Sequence, residues 1–222
     1  MGTIGSLTTN ALNSQINVMN NGYINNTNIQ NSGGGVTNIQ NNGYMQNTSS
    51  NINTWRNNDT GTTNIQNNGQ MANVSSVTNG TGANFNFENN GMTNNIGTKT
   101  YHGAVTNITN NQNAWINNAN LYDSRDKTNV NNQGAINNLA LTGYWQGEFN
   151  VYNGSTGAIN NLSTQNTGTK PGSTFNIHND GSIFNANLNS QGGSTVNFEN
   201  FNGFVQQLNA NADNGSRLNI WS

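Results

Sequence analysis

Eight carboxylates are spread along the 222-residue chain, at Asp59, Glu88, Asp123, Asp126, Glu148, Asp180, Glu199 and Asp213. Two carboxyl groups flanking one bond can cleave a glycoside, one protonating the leaving oxygen while the other attacks or activates water. These eight fall at unrelated points of the sequence, apart from Glu88 and Glu199, which each follow a phenylalanine (Phe87 and Phe198). The one dense set is Asp123, Arg125, Asp126 and Lys127 beside Tyr122, and it reads as a solvated turn. His102 and His178 stand apart from each other, and no carboxylate pattern suggests a metal with them. The absence of cysteine excludes thiol catalysis, disulfides and Cys-ligated metal. Gly33-Gly34-Gly35 lacks the following lysine and helix of a phosphate loop. No catalytic, cofactor-binding or metal-binding residue is assigned, no cofactor is expected, and the chain does not read as an enzyme.

Trp55, Trp115, Trp145 and Trp221, with Tyr23, Tyr44, Tyr101, Tyr122, Tyr144 and Tyr152, could stack on sugar rings, since each joins an apolar face to a polar tip. Only Tyr23 and Tyr44 occupy equivalent places, beside Gly22 and Gly43, so packing in turns is expected and surface glycans are the alternative partner. Charged residues are only 6% of the chain and the net charge is -2. Phosphate backbones demand clustered cations, so nucleic acid is not an expected partner. No apolar run approaches the length of a membrane-crossing helix, so membrane insertion is not expected. Met1 is followed by neither a basic nor an apolar leader segment, so the protein either stays inside the cell or has lost its leader.

The elements that must carry these residues emerge from self-comparison. Roughly a quarter of the residues are asparagine, several times the usual share. A short phrase, in which Asn precedes an apolar residue and a second Asn follows two positions later, recurs along the chain. Its first Asn falls at Asn17, Asn38, Asn64, Asn86, Asn107, Asn129, Asn150, Asn176, Asn197 and Asn219, with spacings of 21, 26, 22, 21, 22, 21, 26, 21 and 22. Within the first unit Ile16, Val18 and Asn20 share one parity while Gln15, Asn17 and Met19 take the other, the alternation of a strand with one buried face. A second strand carries Ile24 and Ile29, Met45, Met71 and Val74, or Ile136 and Leu139. Between the two strands come Gly22, Gly43, Gly69, Gly91, Gly134 and Gly181, which suit a bend or a positive φ.

A unit this short cannot bury its apolar face alone and must stack on its neighbours. The expected fold is therefore all-β, a β-solenoid of about ten rungs with 21–22 residues and two short strands per rung, rising about 4.8 Å each to a length of roughly 45–50 Å. Two steps of 26 residues place insertions in turns near Asn51–Gly61 and Gly154–Gly172, the second holding Pro171. The Asn17-to-Asn219 column has outward parity. A second column, at Asn20, Asn41, Asn67, Asn89, Asn110, Asn132, Asn153, Asn179 and Asn200, shares the apolar parity and is expected to point inward or lie at the arc. Identical amides stacked at the rung spacing can donate to one another, so this column is expected to form a buried ladder. Thr37, Thr63, Thr106 and Thr128 share a further column. A flat outward threonine array would suit ice binding, but the buried parity and the interruption by Phe85 and Phe149 argue for core use.

The spacing resembles that of the curli subunits, bacterial extracellular amyloid proteins. The curli repeat Ser-x5-Gln-x-Gly-x2-Asn-x-Ala-x3-Gln is matched here by Ser14-x5-Asn20-x-Gly22-x2-Asn25-x-Thr27-x3-Asn31. Asp126, Asn132, Gly134 and Asn137 keep the same offsets, as do Ala83, Asn89, Gly91 and Asn94, and the small opening residue recurs as Ser173, Ser194 and Ser216. Asparagine replaces the curli glutamines, and the second half-unit is irregular. The repeat also resembles Asn-rich β-solenoid passenger domains of bacterial adhesins. These resemblances imply export, an extracellular or cell-surface location, self-assembly and a role in filaments, biofilm matrix or attachment.

The chain is thus expected to divide into residues 1–13, a cap or a segment completing a neighbour's rung, and the repeat array of residues 14–222. Its expected partner is itself, in a head-to-tail homopolymer. The alternative is a monomeric binding module, a glycan-binding adhesin or phage-fibre segment, with ice binding less favoured.

Overall fold

The computed structural model describes residues 2–54, 60–168, 171–213 and 215–222. Trp55 and Asp59 lie outside the described residues. The fold is the expected β-solenoid: among the described residues there is no helix, and twenty strands form two parallel ten-stranded sheets. Odd-numbered strands make one sheet and even-numbered strands the other, each strand pairing with the equivalent strand one rung away. The first rung comprises β1 (Thr3–Leu12) and β2 (Gln15–Asn20), the second β3 (Tyr23–Ser32) and β4 (Val36–Asn41), and the tenth β19 (Phe204–Ala212) and β20 (Arg217–Trp221).

One sheet holds longer strands than the sequence suggests. Odd strands run nine or ten residues and even strands five to seven. The reason lies in β3, where Asn25 and Asn26 both face away from the core between buried Ile24 and Thr27. This break in alternation bends the strand around the core without ending its backbone pairing, so the second half of each unit continues as strand rather than turn. Residues 3–12 form β1, which pairs with β3 from Thr3↔Tyr23 to Leu12↔Ser32.

Register follows the repeat. Asn17, Asn38, Asn64, Asn86 and Asn107 are direct partners in successive even strands, and the alignment continues through Asn129, Asn150, Asn176 and Asn197 to Asn219. The extra residues of the first long step lie between β5 (Tyr44–Asn53) and β6 (Gly61–Asn67). Those of the second are divided between 154–157 and 167–173, on either side of β15 (Ala158–Asn166). Insertions are confined to arcs because a residue added inside a strand would turn every following side chain to the opposite face.

Between the sheets runs a narrow core. The predicted inward residues Ile24, Ile29, Met45, Met71, Val74, Ile136 and Leu139 are buried, with Phe85, Phe87, Phe149, Phe175 and Phe198 as its largest members. Stacking makes like meet like: the Phe149 and Phe175 rings on adjacent rungs are parallel within 3° at 5.0 Å. Each buried phenylalanine contributes about 1.5–3 kcal/mol by leaving water. Thr37, Thr63, Thr106 and Thr128 are wholly buried. Their hydroxyls meet polar groups at the far end of the long strands: Thr37 donates to Asn31 and Thr128 to Asp123, while Thr63 accepts from Ser50.

The six bend glycines do turn the chain between the sheets, but none has a positive φ. What excludes a side chain there is close approach. A Cβ on Gly43 would run into the Gly22 carbonyl oxygen, one on Gly69 into that of Gly43, and one on Gly91 into that of Gly69. Glycines with positive φ are found instead in the opposite arc, at positions including Gly33, Gly34, Gly80 and Gly82. Gly97, inside β9 (Met92–Tyr101), has open space, its hypothetical Cβ lying 4.0 Å from the nearest heavy atom. Gly69→Ala is therefore expected to destabilise by about 2–4 kcal/mol, in the range of backbone clashes. Gly97→Ala should stabilise by about 0.5–1 kcal/mol, because alanine loses less backbone entropy on entering a strand. Denaturant midpoints of the two variants check both signs.

Candidate functional site: amide ladders and an aromatic arc

The inward asparagine column forms the expected ladder. Eight side-chain hydrogen bonds of 2.6–2.9 Å join Asn20, Asn41, Asn67, Asn89, Asn110, Asn132, Asn153, Asn179 and Asn200 in sequence. Every Nδ2 donates to the Oδ1 of the next rung toward the C-terminus. The same nitrogen donates again to the backbone carbonyl that opens the long strand following that acceptor, as Asn41 does to Gln70 and Asn110 to Ala135. These second bonds fix the direction of the whole file. Eight of the nine side chains are buried, and Asn200, at the end of the file, is half-buried. The ladder stands where each short strand enters its arc, so it ties the two sheets together as well as the rungs.

The outward column is also a ladder, with the opposite polarity. Nine bonds of 2.8–3.1 Å connect Asn17 to Asn219, each Nδ2 donating to the rung before it. A third ladder escapes the sequence reading. Asn26, Asn47, Asn73, Asn95, Asn118, Asn138, Asn161 and Asn185 are joined in the same backward sense on the outer face of the long strands. Its residues sit after the bend in each long strand, where simple parity fails. Their offset from the first Asn of the phrase, nine residues in six rungs, as in Asn17 to Asn26, and eleven at Asn118 and Asn161, was the available signal.

The second feature is lateral. Rungs five, six and seven contain β9 and β10 (Val105–Asn110), β11 (Trp115–Ser124) and β12 (Lys127–Asn132), and β13 (Ala135–Gly143) and β14 (Glu148–Asn153). Tyr101, Tyr122 and Tyr144 follow one another across these rungs, with ring centroids 5.6 and 6.5 Å apart. The Arg125 guanidinium lies 3.6 Å from the centroid of the Trp145 ring. Comparing identical positions missed this cluster because its members are diagonal neighbours: Tyr122 is level with Lys99, and Tyr101 with Ser124. Tyr23 and Tyr44 do stack, at 5.2 Å and 8°. Tyr152 and His178 form a second stacked pair, at 5.5 Å.

The backbone of this arc is unusual. Other arcs turn from long to short strand through positive-φ glycines such as Gly33, Gly34, Gly80, Gly192 and Gly193, and the first through Asn13 (φ 47). Here His102 (φ 61), Arg125 (φ 66), Trp145 (φ 48) and Gln146 (φ 63) occupy that region. A non-glycine residue held there costs about 1–3 kcal/mol.

Beneath the arc the structure corrects the sequence reading of a solvated turn. Asp123 is fully buried and Asp126 nearly so, although Arg125 and Lys127 between and beside them are exposed. Alternation breaks in this turn, where Ser124 and Arg125 both face away from the core and Arg125 takes positive φ, and the break places both acids on the inner side. Asp123 accepts from the Thr128 hydroxyl at 2.9 Å and the Asp126 backbone N–H at 3.1 Å. Asp126 Oδ1 caps the Gly103 and Ala104 N–H groups, and its buried Oδ2 has no hydrogen-bond partner. Burial raises the Asp123 carboxyl to about 8 and the Asp126 carboxyl to about 6.

His178 is not isolated either. Its Nδ1 meets Glu199 at 3.0 Å and its Nε2 meets Asp180 at 3.1 Å. The hydrogen bond to Glu199 is the main cause that raises its pKa. The two carboxylates occupy opposite nitrogens of one ring and so do not converge on a common point. Among the described residues no group of three or more His, Asp or Glu side chains is arranged to hold a metal, and no helix is long and apolar enough to cross a membrane. No protein-family model, curated protein or solved structure matches the chain.

Two expectations follow from these geometries. Asn110→Ala removes one link donated by Asn89 and one accepted by Asn132 in a buried file, and should cost about 2–4 kcal/mol, whereas Asn107→Ala, in the solvated outward ladder, should cost under about 1 kcal/mol. Chemical denaturation of the pair distinguishes them. The second concerns pH. An unfolded Asp123 releases its proton near the ordinary carboxyl value of 3.8, while the folded one holds it to about 8. The folded state therefore binds the extra proton in that interval, and its stability falls as pH rises through it. Asp123→Asn should flatten this slope and raise the melting temperature at pH 9 by several degrees, as measured by circular dichroism across a pH series.

Proposed function

We propose that the protein is a structural subunit that stacks head to tail on copies of itself, through backbone pairing reinforced by amide ladders. The observation that carries this reading is the match between the first and last rungs. Ile4 in rung one, and Leu208 and Ile220 in rung ten, are exposed apolar residues, although their columns are buried farther inside, at Ile24, Ala186 and Phe198. Extending the existing register by one rung sets Ile4 of a second copy over Val205, Leu7 over Leu208, Ala11 over Ala212, Ile16 over Leu218 and Val18 over Ile220. Asn17 of that copy then falls over Asn219, and the outward ladder continues with its donors in the same sense. A head-to-head arrangement would oppose the ladder directions and turn parallel pairing antiparallel at the junction, so polarity favours a directional contact. Such a contact does not close on itself and generates a filament.

The curli-like spacing of Ser14, Asn20, Gly22 and Asn25 supports placing this filament outside the cell, as part of a matrix or attachment structure. The test is a concentration series viewed by electron microscopy, with Ile4→Lys and Leu208→Lys as end variants. Wild-type filaments whose diffraction repeats at about 4.8 Å along the axis, and their loss in both variants with the β-sheet signal retained, are expected. Single rods of about 48 Å at every concentration, or filaments indifferent to both charges, would overturn the proposal.

A further inference from the structure

The aromatic arc of rungs five to seven has no part in stacking, since it lies on the side of the solenoid. Three observations coincide there. Tyr144 and Trp145 are exposed while packed into an ordered cluster with Tyr101, Tyr122 and Arg125. His102, Arg125, Trp145 and Gln146 hold left-handed backbone where other arcs use glycine, as at Gly33, Gly80 and Gly192. The exposed cations Lys99 and Arg125 flank the tyrosines, Lys99 being level with Tyr122 on the adjoining rung. Glycine would relieve the backbone at the arc positions, so what the chain gains there is the side chains themselves.

We propose that this arc binds an acidic polysaccharide, a polymer bearing uronate carboxylates. The Trp145 ring offers an apolar surface to the C–H face of a pyranose, and Arg125, stacked on it, keeps guanidinium N–H groups for a carboxylate. Lys99 supplies a second cation, and the tyrosine hydroxyls can donate to or accept from sugar hydroxyls. The neighbouring acids do not cancel this charge. Asp123 and Asp126 are buried beneath the turn, and Glu148 is engaged by Lys127 at 3.1 Å. A polyuronate fits better than a nucleic acid because two free cations beside an aromatic cluster suit spaced carboxylates, whereas a phosphate backbone requires a denser array. The rungs repeat at about 4.8 Å, so an extended chain lying along the axis meets Tyr101, Tyr122 and Tyr144 in turn.

The probes are alginate, neutral dextran and duplex DNA, titrated against the full chain by calorimetry and affinity electrophoresis. The wild type is expected to bind alginate in a salt-dependent manner and to ignore dextran. Arg125→Gly and Trp145→Gly are each expected to weaken binding by about tenfold or more, the scale of a desolvated cation–aromatic contact. Both variants should keep or raise the melting temperature, because glycine relieves the positive φ; a purely structural role for these side chains predicts a fall. Lys99→Ala should reduce affinity with no change in melting temperature. Filament formation should be unaffected in all three, which separates this site from the stacking ends. Absent alginate binding, equal binding to dextran or DNA, or glycine variants that bind as the wild type or lose binding only by unfolding, would overturn the assignment.

Discussion

An amide buried without partners is so unfavourable that the whole fold can be understood from how it avoids that state. Parallel pairing places equivalent residues about 4.8 Å apart along the axis, close enough for one carboxamide to reach the next. Asn41, Asn67 and Asn89 use that spacing for one hydrogen and the adjoining backbone carbonyl for the other. This is how a chain with only 31% hydrophobic residues keeps a continuous interior. The ladder also demands register. A strand displaced by one residue would expose Ile65 and Phe87 and bury charged Glu88, so the polar and apolar columns enforce the same alignment.

Variation is admitted where that demand lapses. The inner columns accept Thr, Val or Phe at one level, as in Thr63, Phe85, Thr106 and Val196, because stacked neighbours share volume as well as hydrogen bonds. Insertions collect in the arcs, and the bend glycines persist because successive rungs bring carbonyl oxygens against their Cα atoms. Where an inner column carries an acid, at Asp123, the fold retains the proton instead of the charge, a consequence of burial only partly opposed by the Thr128 hydrogen bond.

Sequence alone reveals those features that recur at a fixed offset. The register, the inward ladder from Asn20 to Asn200 and the outward parity of the column from Asn17 to Asn219 were legible because a period of about 21–22 residues with strict alternation allows few other folds. Four features were not. The bend between Asn25 and Asn26 reverses parity within a strand, which hid the third ladder and the length of the odd strands. The bend glycines were open to two explanations, positive φ or close approach, and only the positions of carbonyls one rung away separate them. The tyrosine cluster is diagonal, and the burial of Asp123 and Asp126 depends on a break of alternation at Ser124 and Arg125.

The regular columns and the irregular arc place different demands on the same chain. Along the axis each rung must resemble its neighbours, and any side chain that spoils a column weakens two contacts. At the arc after the long strands no column constrains the residue, so a strained Arg125 or Trp145 can be held by the rigid rungs on either side. A rigid scaffold with a locally strained display is the arrangement expected where side chains are retained for recognition. Taken with stacking, it carries a further consequence. A filament of these subunits would repeat the arc once every ten rungs on one rod, and a long acidic glycan lying along that rod would engage many arcs at once. Weak individual contacts would then sum to strong attachment through effective concentration, provided the glycan can span the interval between arcs.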